Sequence, residues 1–112
     1  MVKTAAPSHL TPARKRLYRQ LVADYGLERE PHALETLRLA CEALDRCHEA
    51  RQQLAEHGAV YEDRFGQPKA SPWVAIERDS RVAAVRCFRE LSLDAGEYTD
   101  SRPPRIGSGA LS

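Results

Sequence analysis

Gly58-Ala59-Val60-Tyr61-Glu62-Asp63-Arg64-Phe65-Gly66-Gln67-Pro68-Lys69-Ala70-Ser71-Pro72-Trp73 separates two long stretches of helical periodicity, and its reading decides the fold. Gly58 stops the helix before it, because the residue just past a helix end often takes a left-handed backbone that costs glycine little. Val60 and Tyr61 favour extended structure, and Asp63-Arg64-Phe65-Gly66 suits a tight reversal with glycine at the strained position. Ser71-Pro72 restarts a helix: serine caps the free amides, and proline occupies the first turn, where its missing N–H is not needed. The stretch therefore predicts helix, short β-hairpin or tight loop, helix. A short connection between two long helices makes them antiparallel neighbours.

Upstream of this connection, Glu30-Pro31 opens the longest helix, which runs to about His57. Ala33, Leu37, Ala40, Leu44, Cys47 and Leu54 recur at spacings of four and three, with Arg51 breaking the run. This is a heptad-like seam with small residues, which lets a partner helix approach closely. Leu34 and Cys41 widen the stripe, and Leu39 and Ala43 lie further round. Arg38, Glu42, Asp45, Arg46 and Glu49 form the outer, solvated face, with Glu42 and Arg46 spaced as an i,i+4 pair. Downstream, Trp73, Ile76, Ala83, Ala84, Cys87, Phe88 and Leu91 give the third helix its apolar side to about Leu93, and Glu77–Arg81 and Arg86–Glu90 decorate the rest.

The first helix opens on Thr11-Pro12 and ends at Gly26, with Leu17, Tyr18, Leu21, Val22 and Tyr25 on one face. The expected architecture is all-α: this helix laid across the long antiparallel pair, with the short hairpin between the two long helices. Residues 1–10 lack periodicity and are expected to form a flexible arm. Residues 11–93 form the helical domain. Residues 94–112, rich in Pro, Gly and Ser, read as a disordered tail.

A chain of 112 residues with 29% charged and 6% aromatic residues makes one domain with a small core. No apolar run reaches about 18 residues, so no membrane span is expected. The N-terminus lacks an apolar core flanked by basic residues, so no secretory signal is expected and the compartment reads as cytoplasmic. Cys41, Cys47 and Cys87 are an odd count beside Ala and Leu, and read as small buried hydrophobes. Cys41 and Cys47 diverge by roughly 120° around a helix, which opposes a zinc site with His48. No metal and no cofactor is expected.

The net charge of +1 hides an asymmetry. In residues 1–25, Lys3, Arg14, Lys15, Arg16 and Arg19 stand against Asp24, giving +4. In residues 26–60, seven acids against four bases give −3. Arg14, Lys15, Arg16 and Arg19 are thus the candidate DNA contacts, since such a cluster neutralises phosphates without reading sequence. The bland alternative is an ordinary solvated helix. Arg78, Arg81 and Arg89 offer a second, weaker basic surface, for which exposed charge pairing is the bland reading. Glu42, Asp45 and Glu49 have the spacing of a solvated face rather than of a catalytic cluster. His9, His32, His48 and His57 are scattered, and no phosphate-binding glycine loop is present. No catalytic residue is assigned, and the chain reads as a non-enzyme.

Several segments together resemble a known family. Leu10-Thr11-Pro12 opens a helix, and Ala40-Cys41-Glu42-Ala43-Leu44-Asp45-Arg46 lies within the long one. Gly58 through Pro72, with Asp63-Arg64-Phe65-Gly66-Gln67-Pro68-Lys69 at its centre, is followed by Ala75-Ile76-Glu77-Arg78, Glu90-Leu91-Ser92-Leu93 and Ser101-Arg102-Pro103-Pro104-Arg105. In order and spacing the chain resembles the small subunit of tailed-phage terminases, in the branch with a single compact helical domain. The resemblance implies a ring-forming homo-oligomer that binds double-stranded viral DNA. It also implies regulation of a large subunit carrying the packaging ATPase and nuclease, with no catalytic centre in the small subunit itself.

The residues supply their own reasons for a ring. The longest helix, at about 40 Å, carries apolar residues on more than one side. Leu34, Leu39 and Ala43 are the expected contacts between copies. The alternative is a small helical transcriptional regulator, which needs a short recognition helix with polar side chains for base edges. The second helix is far longer than that and begins acidic, with Glu28 and Glu30.

Overall fold

The computed structural model describes residues 5–91. In chain order it contains α1 (Pro12–Tyr25), a short 3-10 turn (Leu27–Arg29), α2 (Pro31–His57), β1 (Val60–Glu62), β2 (Pro68–Ala70) and α3 (Pro72–Leu91). The chain is mostly helical, as expected.

The helix ends form for identifiable reasons. The Thr11 hydroxyl accepts from the Arg14 N–H at 3.3 Å, and Pro12 follows it in the first turn. Gly26 closes α1 in the left-handed region at φ 63°, where a side chain would be strained, and its N–H donates to the Val22 carbonyl. At the far end of α2 the Gly58 N–H donates to the Leu54 carbonyl at 2.8 Å. The Ser71 hydroxyl accepts from the Trp73 N–H at 3.2 Å and caps α3.

Between α2 and α3 the chain makes a real antiparallel hairpin, pairing Val60 with Ala70, Tyr61 with Lys69 and Glu62 with Pro68. Asp63 builds its tip. Its N–H donates to the Gln67 carbonyl at 3.0 Å, and its carboxylate accepts from the amides of Phe65 and Gln67 at 2.9 and 3.0 Å. Gly66, at φ 78°, takes the left-handed position that a three-residue loop requires. All six strand residues are exposed.

The core has two parts. Along the α2–α3 pair the buried residues are small: Ala40, Cys47 and Ala50 on α2, Ser80 and Ala84 on α3. Small side chains let the helix axes approach closely. The buried Ser80 hydroxyl donates to the Ile76 carbonyl at 2.6 Å, so its polar group is satisfied within its own helix. The second part gathers Leu10, Tyr18, Val22, Leu27, Ala33, Leu37 and Cys41, with Phe88 and Leu91 packed against it. It holds α1 on the N-terminal half of α2.

Three details differ from the sequence reading. Leu10, assigned to the flexible arm, is buried, and its N–H donates to the Pro7 carbonyl at 3.3 Å. The link after Gly26 is a 3-10 turn that buries Leu27. Ala50 and Ser80 occupy the interhelical seam, although neither stood out as apolar periodicity. The expected tail, residues 94–112, lies outside the described residues.

Candidate nucleic-acid interface

An α-helix advances about 100° per residue, and this divides the basic cluster of α1. Buried Tyr18 marks the side that faces the core. Lys15, Arg19 and Arg16 lie on one flank, within an arc of about 100°. Arg14 lies on the other flank, toward α2. Arg16 and Arg19 are exposed and Lys15 is half-buried.

Arg14 does different work from the other three. Its Nε lies 3.5 Å from Asp45 Oδ1, and that nitrogen is buried without a hydrogen-bond partner. Asp45 in turn accepts from the Thr11 N–H at 3.0 Å and the Thr11 hydroxyl at 2.7 Å. One turn earlier on α2, Glu42 Oε2 lies 2.6 Å from His9 Nε2 and accepts from Arg38 Nη1 at 2.6 Å. Arg38 also pairs with Glu35. Burial opposes ionisation of Glu42, but the hydrogen bonds from His9 and Arg38 outweigh it and hold the carboxyl below its ordinary value. Two of the three acids read as solvated therefore dock the N-terminal segment onto α2. The Glu42–Arg46 spacing is not used: Glu42 takes Arg38, and Arg46 reaches Glu49 at 3.8 Å.

On α3, Arg81, Arg78 and Arg89 fall within an arc of about 80°, together with exposed Val74 and Val85. Arg78 and Arg81 pair with acids of the same helix. Arg78 Nε lies 3.1 Å from Asp79, and Arg81 Nε 3.3 Å from Glu77. Arg51 of α2 donates to the same Glu77 oxygen at 3.0 Å, and the Cys47 thiol donates to it at 3.6 Å. The hydrogen bonds from Arg51 and then Arg81 hold the Glu77 carboxyl below its ordinary value. Glu77 thus ties the two long helices together at the position where Arg51 interrupts the apolar seam.

The expected contacts between copies separate in a similar way. Leu39 is 47% exposed, on the side of α2 away from the cluster beneath α1. Ala43 is half-buried, and Leu34 packs against the core cluster beneath α1. Of the cysteines expected to be small buried hydrophobes, Cys41 is fully buried, with its thiol pushed up to about 11 chiefly by burial, Cys47 is buried with its thiol on Glu77, and Cys87 is only half-buried. A thiol held protonated is a poor nucleophile. Among the described residues, no group of three or more His, Cys, Asp or Glu is arranged to hold a metal ion. No helix among them is long and apolar enough to cross a membrane.

The class these features define is a small helical protein whose polar clusters fasten helices together, and which presents basic side chains on two helix flanks. The model of the phage terminase small subunit family matches residues 10–98, and the chain belongs to that family. No curated protein and no solved structure matches it.

Proposed function

We propose that the chain binds double-stranded viral DNA through Lys15, Arg16 and Arg19, and regulates the large terminase subunit during genome packaging. It acts in the cytoplasm of the host cell, where packaging takes place. The observation that carries the DNA contact is the free basic flank of α1: unlike Arg14, these three side chains have no ion pair among the described residues. Charges of this kind neutralise phosphates and release counterions, giving salt-dependent binding with little sequence preference. Arg78, Arg81 and Arg89 form a second DNA surface. The small subunit performs no catalysis; the ATPase and nuclease belong to the large subunit.

The chain works as a ring of copies. Exposed Leu39 and half-buried Ala43 form one side of the contact and the accessible part of Leu34 the other, since a head-to-tail contact joins two different faces and gives a ring when it closes. Residues 94–112 contact the large subunit. Light scattering on the purified protein, with and without DNA, tests the reading. A species many times the 12.6 kDa chain mass is expected. A monomer or simple dimer at micromolar concentration would sink the ring. DNA affinity that does not change with salt would sink the phosphate contacts.

A further inference from the structure

The two edges of the hairpin are not equivalent. Antiparallel strands alternate between pairs that exchange hydrogen bonds and pairs whose amides and carbonyls point away. The Ser71 N–H donates to the Ala59 carbonyl at 2.8 Å, and the Asp63 N–H to the Gln67 carbonyl at 3.0 Å. With the observed register, Tyr61 and Lys69 are therefore a bonded pair. Val60–Ala70 and Glu62–Pro68 are the pairs whose backbone groups point outward. On β2 one of those positions is proline, which has no N–H to offer, and prolines of this kind protect edges from pairing. On β1 the outward N–H and C=O of both Val60 and Glu62 remain available. Both strands are also exposed, with Val60 at 59% and Tyr61 at 49%, and Phe65 in the turn is 74% exposed. Isolated two-stranded hairpins are marginally stable in water.

We infer that the β1 edge, with its outward Val60 and Glu62 amides, pairs antiparallel with β1 of a second copy of the chain, centred on Tyr61. The contact is isologous and builds a four-stranded sheet in which each outer edge lacks the amide at Pro68. Self-complementarity selects the occupant. Centring on Tyr61 sets Val60 of each copy against Glu62 of the other, so the outward groups of both residues bond and no like charges stand opposed. The two Tyr61 side chains become a cross-strand aromatic pair, which stabilises a sheet. Lys69 of each copy lies beside its own Tyr61 on the same face.

Charge agrees with the same register. It brings the tip of the second copy's hairpin, which carries Arg64, toward Gly58, the residue that ends α2. A cation there meets the partly negative C-terminal end of the helix. This contact is two-fold, separate from the head-to-tail contact of a ring, and does not depend on it. Where rings form, it joins two of them.

Disulfide trapping tests the register. Tyr61→Cys in a Cys87→Ser background places two thiols across a pair whose Cα atoms are about 4.5 Å apart, within disulfide reach. Mild oxidation should convert most of the chain to a covalent dimer of twice 12.6 kDa. Val60→Cys in the same background should crosslink at least tenfold less, because equivalent positions are then diagonal, about 7–8 Å apart. Adding Glu62→Pro to Tyr61→Cys removes an outward amide and leaves the hairpin's own ladder intact. It should abolish the crosslink. Equal crosslinking at positions 60 and 61, no crosslink at 61, or a crosslink unaffected by Glu62→Pro overturns the proposal. Light scattering of the unmodified chain reads ring size separately, so failure of the ring and failure of this pairing give different results.

Discussion

The backbone N–H and the hydroxyl of Thr11 both donate to the carboxylate of Asp45, at 3.0 and 2.7 Å. The same threonine caps α1, so one residue starts a helix and anchors it to another. Asp45→Ala should destabilise the fold by about 1–3 kcal/mol, because it removes charge-assisted bonds and leaves Arg14 Nε buried with no carboxylate nearby. Urea unfolding reads this directly. An unchanged midpoint would mean that the apolar cluster beneath α1 holds the helix without help.

DNA binding should divide α1 by flank. Replacing Lys15, Arg16 and Arg19 with Ala should lower the salt slope of binding by roughly one for each phosphate that is no longer neutralised. Arg14→Ala should lower stability and leave the slope alone. Titrations at several salt concentrations separate the two. Should Arg14→Ala alone flatten the slope, the division by flank is wrong.

Leu39→Glu places a charge at a half-exposed position of α2 and leaves the α2–α3 seam largely alone. The variant should run as smaller species in light scattering while circular dichroism shows unchanged helix. Assembly that survives the substitution would move the ring contact to another surface.

Glu77 gives the fold an acid limb. Its folded pKa is depressed below the ordinary 4.5, so its contribution is fully present above that value. The contribution disappears as pH falls through the folded pKa. Glu77→Gln should be less stable than the native chain near neutrality, and the two should converge in strong acid. Chemical denaturation across pH reads the gap. A gap that stays constant with pH would show that Glu77 acts by packing rather than by its charge.

The helices and their connection were legible because their signals are local. Thr11-Pro12, Gly26, Gly58 and Ser71-Pro72 each solve a helix-end problem within a few residues of chain. The apolar periodicity of α2 likewise marks a face that must be covered. The docking of the N-terminal segment was not legible. His9–Glu42 and Thr11–Asp45 join residues more than thirty positions apart, and acids that accept such bonds have the same spacing as acids that face water. Leu10 is a single apolar residue without a periodic neighbour, so nothing in the chain foretold its burial. Buried Ser80 went unseen because its hydroxyl is satisfied by its own helix.

Within α1, the sequence marked four basic residues as one cluster, and the helix separates them. Charge density along a chain does not say which flank faces a neighbouring carboxylate. Arg14 differs from Lys15 only by about 100° of rotation, yet that rotation brings it to Asp45.

The two parts of the core respond to volume in opposite senses. At Ala40, Ala50 and Ala84, almost every substitution adds atoms where there is no room, and overpacking of this kind costs typically about 1–3 kcal/mol. At Leu37, Leu27 and Tyr18, most substitutions remove atoms and leave a void. Random mutation therefore jams one half of the molecule and hollows out the other. A library ranked only by the change in side-chain volume would map the boundary between them.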